Sequence, residues 1–188
     1  MDTKKIVITG GPSTGKTAVI QSLEEKGFLC LHEVIRSMTL EKKEEENHLA
    51  FKTNPIVSVS DPLEFNQRIL DARISQYTSF EQGTKEMVFF DRGIPDVLAY
   101  MSCFDQKYSS KFEKACADHR YNLVFLMPPW KEIHISDNER FETYDESLLI
   151  NDCLLKTYRL FGYDVRIVPK DTVPKRVGFI LDAINSTT

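Results

Sequence analysis

The chain has 188 residues, of which 41% are hydrophobic and 28% are charged, the composition of an ordinary globular domain. Its net charge of −4 at pH 7 gives no reason to expect nucleic acid or an anionic membrane as a partner. The length suits one domain with one core, so we expect a single domain over residues 1–188.

The cysteine spacing and the N-terminal sequence indicate the cellular compartment. The four cysteines are far apart, with neither a Cys-x-x-Cys pair nor clustered histidines. This spacing favours reduced thiols over a zinc site or disulfides. The N-terminus runs into a predicted strand without a signal-peptide pattern, and no apolar stretch approaches membrane-spanning length. We therefore expect a cytoplasmic protein that binds neither nucleic acid nor membrane, and homo-oligomerisation stays open.

The first motif lies between a short apolar strand, residues 4–9, and a helical pattern. It matches G-x-x-x-x-G-K-[ST], and its residues are Gly10, Gly11, Pro12, Ser13, Thr14, Gly15, Lys16 and Thr17. The glycines let successive N–H groups point into one concavity that grips a phosphate, and the start of the helix adds its positive end. This phosphate loop predicts nucleotide binding, with Lys16 on the outer phosphates and Thr17 as a magnesium ligand.

A second buried strand is expected at residues 28–32, after a helix that Gly27 ends. Ligands of parallel sheets lie at the carboxyl ends of the strands, so Glu33 is expected to face the same crevice as the phosphate loop. The other interpretation makes Glu33 a helix N-terminal carboxylate that the macrodipole stabilises. Arg36 lies three residues later and joins Glu33 as a candidate substrate residue.

The next stretch offers a strongly periodic helix. A polar helix is expected over residues 34–47, and residues 48–60 show no clear period. Asp61-Pro62 then begins an amphipathic helix that runs to about Gln82. Gln67, Arg68 and Arg73 lie on this helix, where most polar residues merely face solvent. Of the three, we take Gln67 and Arg68 as candidate substrate residues.

A third apolar strand, residues 87–90, ends in Asp91 and Arg92. An acid in this place is the second half of a phosphate-loop site, because it must reach the magnesium shell opposite Thr17. Arg92 is either a group that offsets charge on the moving phosphoryl group or a structural salt-bridge partner.

The rest of the chain completes an alternating pattern. Helices are expected from residue 94 and around 111–119, 145–161 and 175–185, and strands at 121–127 and 163–169. Residues 130–144 are polar and aperiodic, and they leave the carboxyl end of a strand, which is where a lid belongs. The elements predict an α/β phosphate-loop NTPase fold, a five-stranded, mostly parallel sheet with helices on both faces.

Over nearly its whole length the chain resembles the phosphate-loop kinases of nucleosides and nucleotides. More narrowly, it is similar to the AAA-labelled ATPase family that includes the bacterial ribosylnicotinamide kinase domain. The motifs that carry this resemblance are Gly10–Thr17, Glu33-x-x-Arg36, Asp91-Arg92-Gly93-Ile94-Pro95-Asp96 and Phe161-Gly162-Tyr163 with Val168-Pro169.

The resemblance implies three features of the site. The phosphate-loop strand neighbours the strand of Asp91, and a lid arginine closes on the transferred group. Arg140 is the only arginine in residues 130–144, whereas many related kinases carry two or more lid arginines. Glu33 matches the glutamate that acts as base towards the substrate hydroxyl in deoxynucleoside kinases.

The expected function is therefore ATP- and magnesium-dependent phosphoryl transfer to a hydroxyl of a small, nucleoside-like acceptor. The residues expected to carry it are Lys16, Glu33, Asp91, Arg92 and Arg140. The alternative from another class is a regulatory NTPase, a nucleotide-dependent switch that acts on a protein partner. The sequence does not identify the acceptor.

Overall fold

The computed structural model describes residues 3–34, 61–80, 86–134 and 142–186. The strands are β1 (Lys4–Thr9), β2 (Leu29–Leu31), β3 (Met87–Asp91), β4 (Leu123–Leu126) and β5 (Val165–Ile167). The α-helices are α1 (Lys16–Glu25), α2 (Pro62–Thr78), α3 (Ile94–Cys103), α4 (Ser110–Asp118), α5 (Tyr144–Leu160) and α6 (Val173–Asn185). A short 3₁₀ helix covers Lys131–Ile133.

The five strands form one sheet in the order β2-β3-β1-β4-β5, and every pairing is parallel. The expected α/β fold is therefore confirmed, as is the placement of the phosphate-loop strand beside the strand of Asp91. Since β1 is central, its carboxyl end opens between β3 and β4, and the loop that follows it lies in the middle of that edge.

Helices cover both faces of the sheet, because successive strand residues point to opposite sides. Val7 of β1 packs into a core that α2, α3, α4 and α5 cover. Its neighbours Ile6 and Ile8 pack into a second core beneath α1 and α6. The loops of the site are thus held between two helical layers.

Several boundaries differ from those expected. The helix predicted to reach about Gln82 ends at Thr78, and α6 begins at Val173 rather than Lys175, with Pro174 in its first turn. Strand β5 is shorter than residues 163–169. In the lid region, Lys131–Ile133 is helical, and Thr143 caps α5 by accepting a hydrogen bond from the backbone N–H of Glu146.

Some expectations fall outside the described residues. They are the polar helix after residue 34, the irregular stretch 48–60 and the centre of the lid region, residues 135–141. In the part of the chain that is described, no helix combines the length and apolarity needed to cross a membrane.

Candidate active site

The phosphate loop has a backbone that only glycine adopts easily at two points. Gly10 has φ of 148° and Gly15 has φ of 81°, both outside the range that residues with a β-carbon favour. A β-carbon on Gly10 would lie 2.6 Å from the carbonyl oxygen of Met127. The Thr14 hydroxyl donates to the Gly11 carbonyl at 2.9 Å and closes the loop. The two glycines and this bond give the loop the tight turn that the motif needs.

Lys16, in the first turn of α1, lies across this loop. Its ammonium donates to the carbonyls of Gly10 and Gly11, each at 3.0 Å. Burial, and to a smaller extent Arg92, lower the pKa of Lys16 to about 7 from its usual 10.5, against the opposing pull of Asp91. An anion beside this ammonium would restore its charge, as the motif requires.

Thr17 and Asp91 are the candidate magnesium ligands, and the strands that lead to them, β1 and β3, are parallel neighbours. Asp91 is the buried last residue of β3 and lies opposite Ile8, two residues before the loop. Thr17 follows Lys16 in the first turn of α1. Residues 3–34, 61–80, 86–134 and 142–186 contain no cluster of three acidic, histidine or cysteine side chains able to hold a metal. One carboxylate and one hydroxyl still fit magnesium, which takes its other ligands from phosphates and water.

Glu33 follows β2 and has a guanidinium on each of its carboxylate oxygens. Its Oε1 accepts from Arg73 Nη2 at 2.9 Å, and its Oε2 is paired with Arg92 Nε. Arg73 projects from α2, is only 3% exposed and also donates to the Gly93 carbonyl. The end of β2 is thus joined to α2 and to the loop after β3.

Asp96, in the first turn of α3, is the second acid of this cluster and is 1% exposed. Its Oδ1 accepts from the Thr9 hydroxyl at 2.6 Å and lies 3.3 Å from Arg92 Nη1. Its Oδ2 accepts from the Tyr158 hydroxyl at 2.5 Å and from the Gly93 N–H at 3.0 Å. Burial opposes ionisation, but the two arginines and the hydroxyl donors hold the pKa of Asp96 below its usual value.

We call Glu33, Arg73, Arg92 and Asp96 the paired cluster. Its geometry constrains the backbone: Arg92 has φ of 73°, a left-handed conformation that is rare for a residue with a side chain. A β-carbon on Gly93 would lie 2.5 Å from the Tyr158 hydroxyl. The cluster therefore connects β1, β2, β3, α2, α3 and α5 at one edge of the sheet.

The structure brings together Lys16, Glu33, Asp91, Arg92 and the phosphate loop. It does not bring Gln67 or Arg68 to them. Gln67 donates to Asp71 one turn along its own helix at 2.8 Å, and Arg68 is exposed. Arg36 and Arg140 lie outside the described residues.

Three members of the site are absent from the residues predicted from the sequence: Asp96, Tyr158 and Arg73, which was weighed beside Gln67 and Arg68 but not chosen. A signal existed for Arg73, which lies three residues after Leu70 and four after Ile69 on the buried face of α2. A charged residue on the apolar stripe of a helix must find a partner or a ligand. Asp96 ends the motif Asp91-Arg92-Gly93-Ile94-Pro95-Asp96, which was a signal, whereas Tyr158 carried none.

Comparisons with known proteins agree with this architecture. The sequence matches the family described as AAA domain over residues 5–176. A search of curated proteins found no match.

Among solved structures, the fold resembles deoxyadenosine kinase from M. mycoides, with 15% identity, 97% of this chain and 99% of that chain covered, and a TM-score of 0.67. It resembles NadR protein in complex with NAD and AMP-PNP, with 19% identity, 98% and 49% coverage and a TM-score of 0.70. It also resembles thymidylate kinase from Ehrlichia chaffeensis, with 12% identity, 98% and 100% coverage and a TM-score of 0.65. At such identities the likeness shows a shared fold.

Proposed function

We propose that this chain, which belongs to the AAA-domain family that it matches over residues 5–176, is a kinase. It transfers a phosphoryl group from ATP, with magnesium, to a hydroxyl of a small, nucleoside-like acceptor. Two neighbours of the same fold are named as a deoxyadenosine kinase and a thymidylate kinase. The NadR protein is in complex with NAD and AMP-PNP, which supports nucleotide use.

One observation carries the proposal. Two arginines hold the carboxylate of Glu33 at the carboxyl ends of the strands, where the phosphate loop also lies. Arg73 and Arg92 each bind one oxygen of Glu33, and this fixes the direction of its remaining lone pairs. Such a carboxylate can accept a hydrogen bond from an acceptor hydroxyl and aim it in line with the transferred phosphorus. A switch that only binds and releases nucleotide needs no such group.

The charges of the cluster bear on the class of acceptor. Arg73 and Arg92 face Glu33 and Asp96, so two positive charges meet two negative charges. A nucleoside monophosphate brings negative charge of its own and would compete with these acids for the guanidinium groups. The arrangement therefore favours an uncharged acceptor such as a nucleoside. Among the neighbours, one NadR structure is named as a complex with NR.

The remaining residues have roles on the nucleotide. Backbone N–H groups of residues 11–17 would hold the phosphates, and Lys16 would leave the loop carbonyls to bind the outer ones. Thr17 and Asp91 would hold magnesium, which offsets phosphate charge when bound. Arg92, and Arg140 from the lid region, are proposed to offset charge on the moving phosphoryl group.

The test is ADP release from ATP with magnesium, measured with no acceptor, with a panel of uncharged nucleosides and with the matching monophosphates. Lys16→Met provides the background rate. We expect at least one nucleoside to raise ADP release and to gain the phosphate, while the monophosphates do not. If no hydroxyl compound gains phosphate, the kinase proposal is wrong, and a nucleotide-dependent switch becomes the favoured function. A response to monophosphates alone would overturn the argument from charge.

A further inference from the structure

A third buried arginine, Arg176, lies apart from the paired cluster. It belongs to the first turn of α6 and is only 2% exposed. Its position continues the apolar stripe of that helix, directly before Val177 and four residues before Ile180. An apolar residue would ordinarily occupy such a position, so the guanidinium needs a physical explanation.

The contacts of Arg176 are with the phosphate loop and the start of the lid region. Its Nη2 donates to the carbonyl of Thr14 at 2.9 Å and lies 3.5 Å from Met127 Sδ. A β-carbon on Gly15 would lie 2.7 Å from its Nη1. Its Cζ lies 5.9 Å from the ring centroid of Trp130. The guanidinium therefore contacts the Thr14–Gly15 peptide, directly before Lys16.

The charge of Arg176 is not balanced by an acid within residues 3–34, 61–80, 86–134 and 142–186. Its Nε has no hydrogen-bond partner there, and none of the ion pairs found among these residues includes it. Desolvation by burial lowers the pKa of Arg176, with no neighbouring carboxylate to oppose the shift. A buried, unbalanced guanidinium reduces the stability of the free protein unless an anion binds close by.

We propose that Arg176 is a positioning residue for the nucleotide. It holds the Thr14–Gly15 peptide so that the loop N–H groups face the phosphates, and its positive charge is offset when the phosphates bind. The inference deepens the proposed function and rests on it, because it takes the phosphate loop as the nucleotide site. Arg176 acts by holding the loop and by the electrostatic attraction of its positive charge for the phosphates, and it does not contact the acceptor.

The test compares Arg176→Met with a matched arginine at the same end of the chain. Arg166, on β5, also donates to a backbone carbonyl, that of Ala183 at 2.6 Å, in the last turn of α6 rather than its first. For Arg176→Met we expect an unchanged or higher Tm of the free protein and an ATP affinity about tenfold or more weaker. For Arg166→Met we expect a lower Tm of the free protein and an unchanged Kd for ATP.

Two further measurements separate the parts of the proposal. The affinity loss in Arg176→Met should grow from AMP to ADP to ATP, because the electrostatic term increases with phosphate charge. Arg176→Lys keeps the charge and should recover part of the ATP affinity. The KM for the acceptor should not change in either variant. If Arg176→Met does not fold, Arg176→Lys decides by the same readouts.

The contradicting results are distinct. An unchanged Kd for ATP in Arg176→Met, with or without a lower Tm, would make Arg176 a structural residue and leave the proposed function intact. Equal losses for AMP, ADP and ATP would overturn the electrostatic part. If the unsubstituted protein binds neither ATP nor ADP with magnesium, the proposed function and this inference both fail.

Discussion

The two sides of the site treat buried charge differently. On the side of β2 and β3, the paired cluster places two arginines against two acids at a strand edge. On the side of the phosphate loop, Lys16 and Arg176 donate to backbone carbonyls of the loop. Balanced charge suits an uncharged ligand, whereas a buried guanidinium such as that of Arg176, which has no acid partner among the described residues, suits an anion. The difference supports our proposal that the acceptor binds on one side and the nucleotide on the other.

The two sides also differ in how the loss of a charged residue should change the stability of the free protein. Removing one partner of a buried ion pair leaves an uncompensated charge and costs about 3–5 kcal/mol. Removing Arg176, which has no acid partner in the part of the chain that the structure describes, relieves a desolvation penalty instead. Substitutions on the two sides should therefore shift the stability of the free protein in opposite directions.

The largest effect is expected from Lys16→Met on the nucleotide side. It removes the ammonium that meets the outer phosphates, so kcat should fall by about 10³-fold or more, the scale of losing one cation in phosphoryl transfer. ATP affinity should also fall. Steady-state ADP release and calorimetric titration measure the two quantities. Lys156→Met, whose ammonium is exposed and paired with Asp152, is the control and should leave both unchanged. Equal ATP affinity in Lys16→Met and the parent would contradict this assignment.

Glu33→Gln tests the acceptor side. The amide keeps the shape but cannot hold two guanidinium groups as a carboxylate does, so acceptor phosphorylation should fall by roughly 10²-fold. The Kd for ATP should stay the same, and urea unfolding should show a less stable protein. Glu24→Gln, which alters an exposed pair with His32, is the control. A weaker Kd for ATP with an unchanged acceptor reaction would reverse the assignment of the two sides.

The pH dependence of ATP affinity sharpens the nucleotide side. Lys16 has a pKa of about 7 in the free protein, and phosphate binding favours its charged form and raises that pKa. Above pH 7, binding must therefore take up a proton. Affinity should be full below pH 7 and fall as the pH rises, by up to about tenfold per pH unit. Titration calorimetry in buffers of different ionisation enthalpy measures the proton uptake. A slope that persists in Lys16→Met would assign the titration to another group.

Tyr158→Phe should have the smallest effect, because Asp96 keeps its other donors. Loss of a hydrogen bond to a buried carboxylate should lower the free energy of unfolding by about 1.5–3 kcal/mol. The depressed pKa of Asp96 contributes stability above its unfolded value of 3.8, and that contribution is lost as the pH falls through the folded pKa. Without the Tyr158 hydroxyl that folded pKa rises, so acid unfolding should begin at a higher pH.

Tyr163→Phe is the control for this substitution. The Tyr163 hydroxyl accepts from the backbone N–H of Tyr121 at 3.1 Å and does not touch Asp96. Denaturant unfolding near pH 7 and acid titration compare the two variants. Identical acid transitions in Tyr158→Phe and Tyr163→Phe would show that the Tyr158 hydroxyl does not stabilise the ionised form of Asp96.

By itself, the sequence determined the phosphate loop, the alternation of strands and helices, and the position of Asp91 after a buried strand. These features are local. Each is encoded by a few consecutive residues, whose turn residues, hydrophobic period or composition predict the structure directly. The resemblance implied that the phosphate-loop strand neighbours the strand of Asp91, and the structure confirms this pairing. The role of Glu33 stayed open between a substrate carboxylate and a helix N-terminal carboxylate, and that of Arg92 between phosphoryl transfer and a structural salt bridge. The structure shows the ion pairs of both residues, and their roles in the reaction stay proposals.

Only the tertiary structure decided which polar residues of the helices enter the site. The sequence pointed to α2 and to Gln67 and Arg68, but packing turned Arg73 inward. The ion pair of Glu33 with Arg73 spans 40 residues, the bond of Tyr158 to Asp96 spans 62, and that of Arg176 to Thr14 spans 162. No local pattern encodes such pairs. The rotation of each helix is set by all its apolar contacts together, and a buried charge then binds whatever group that rotation brings to it.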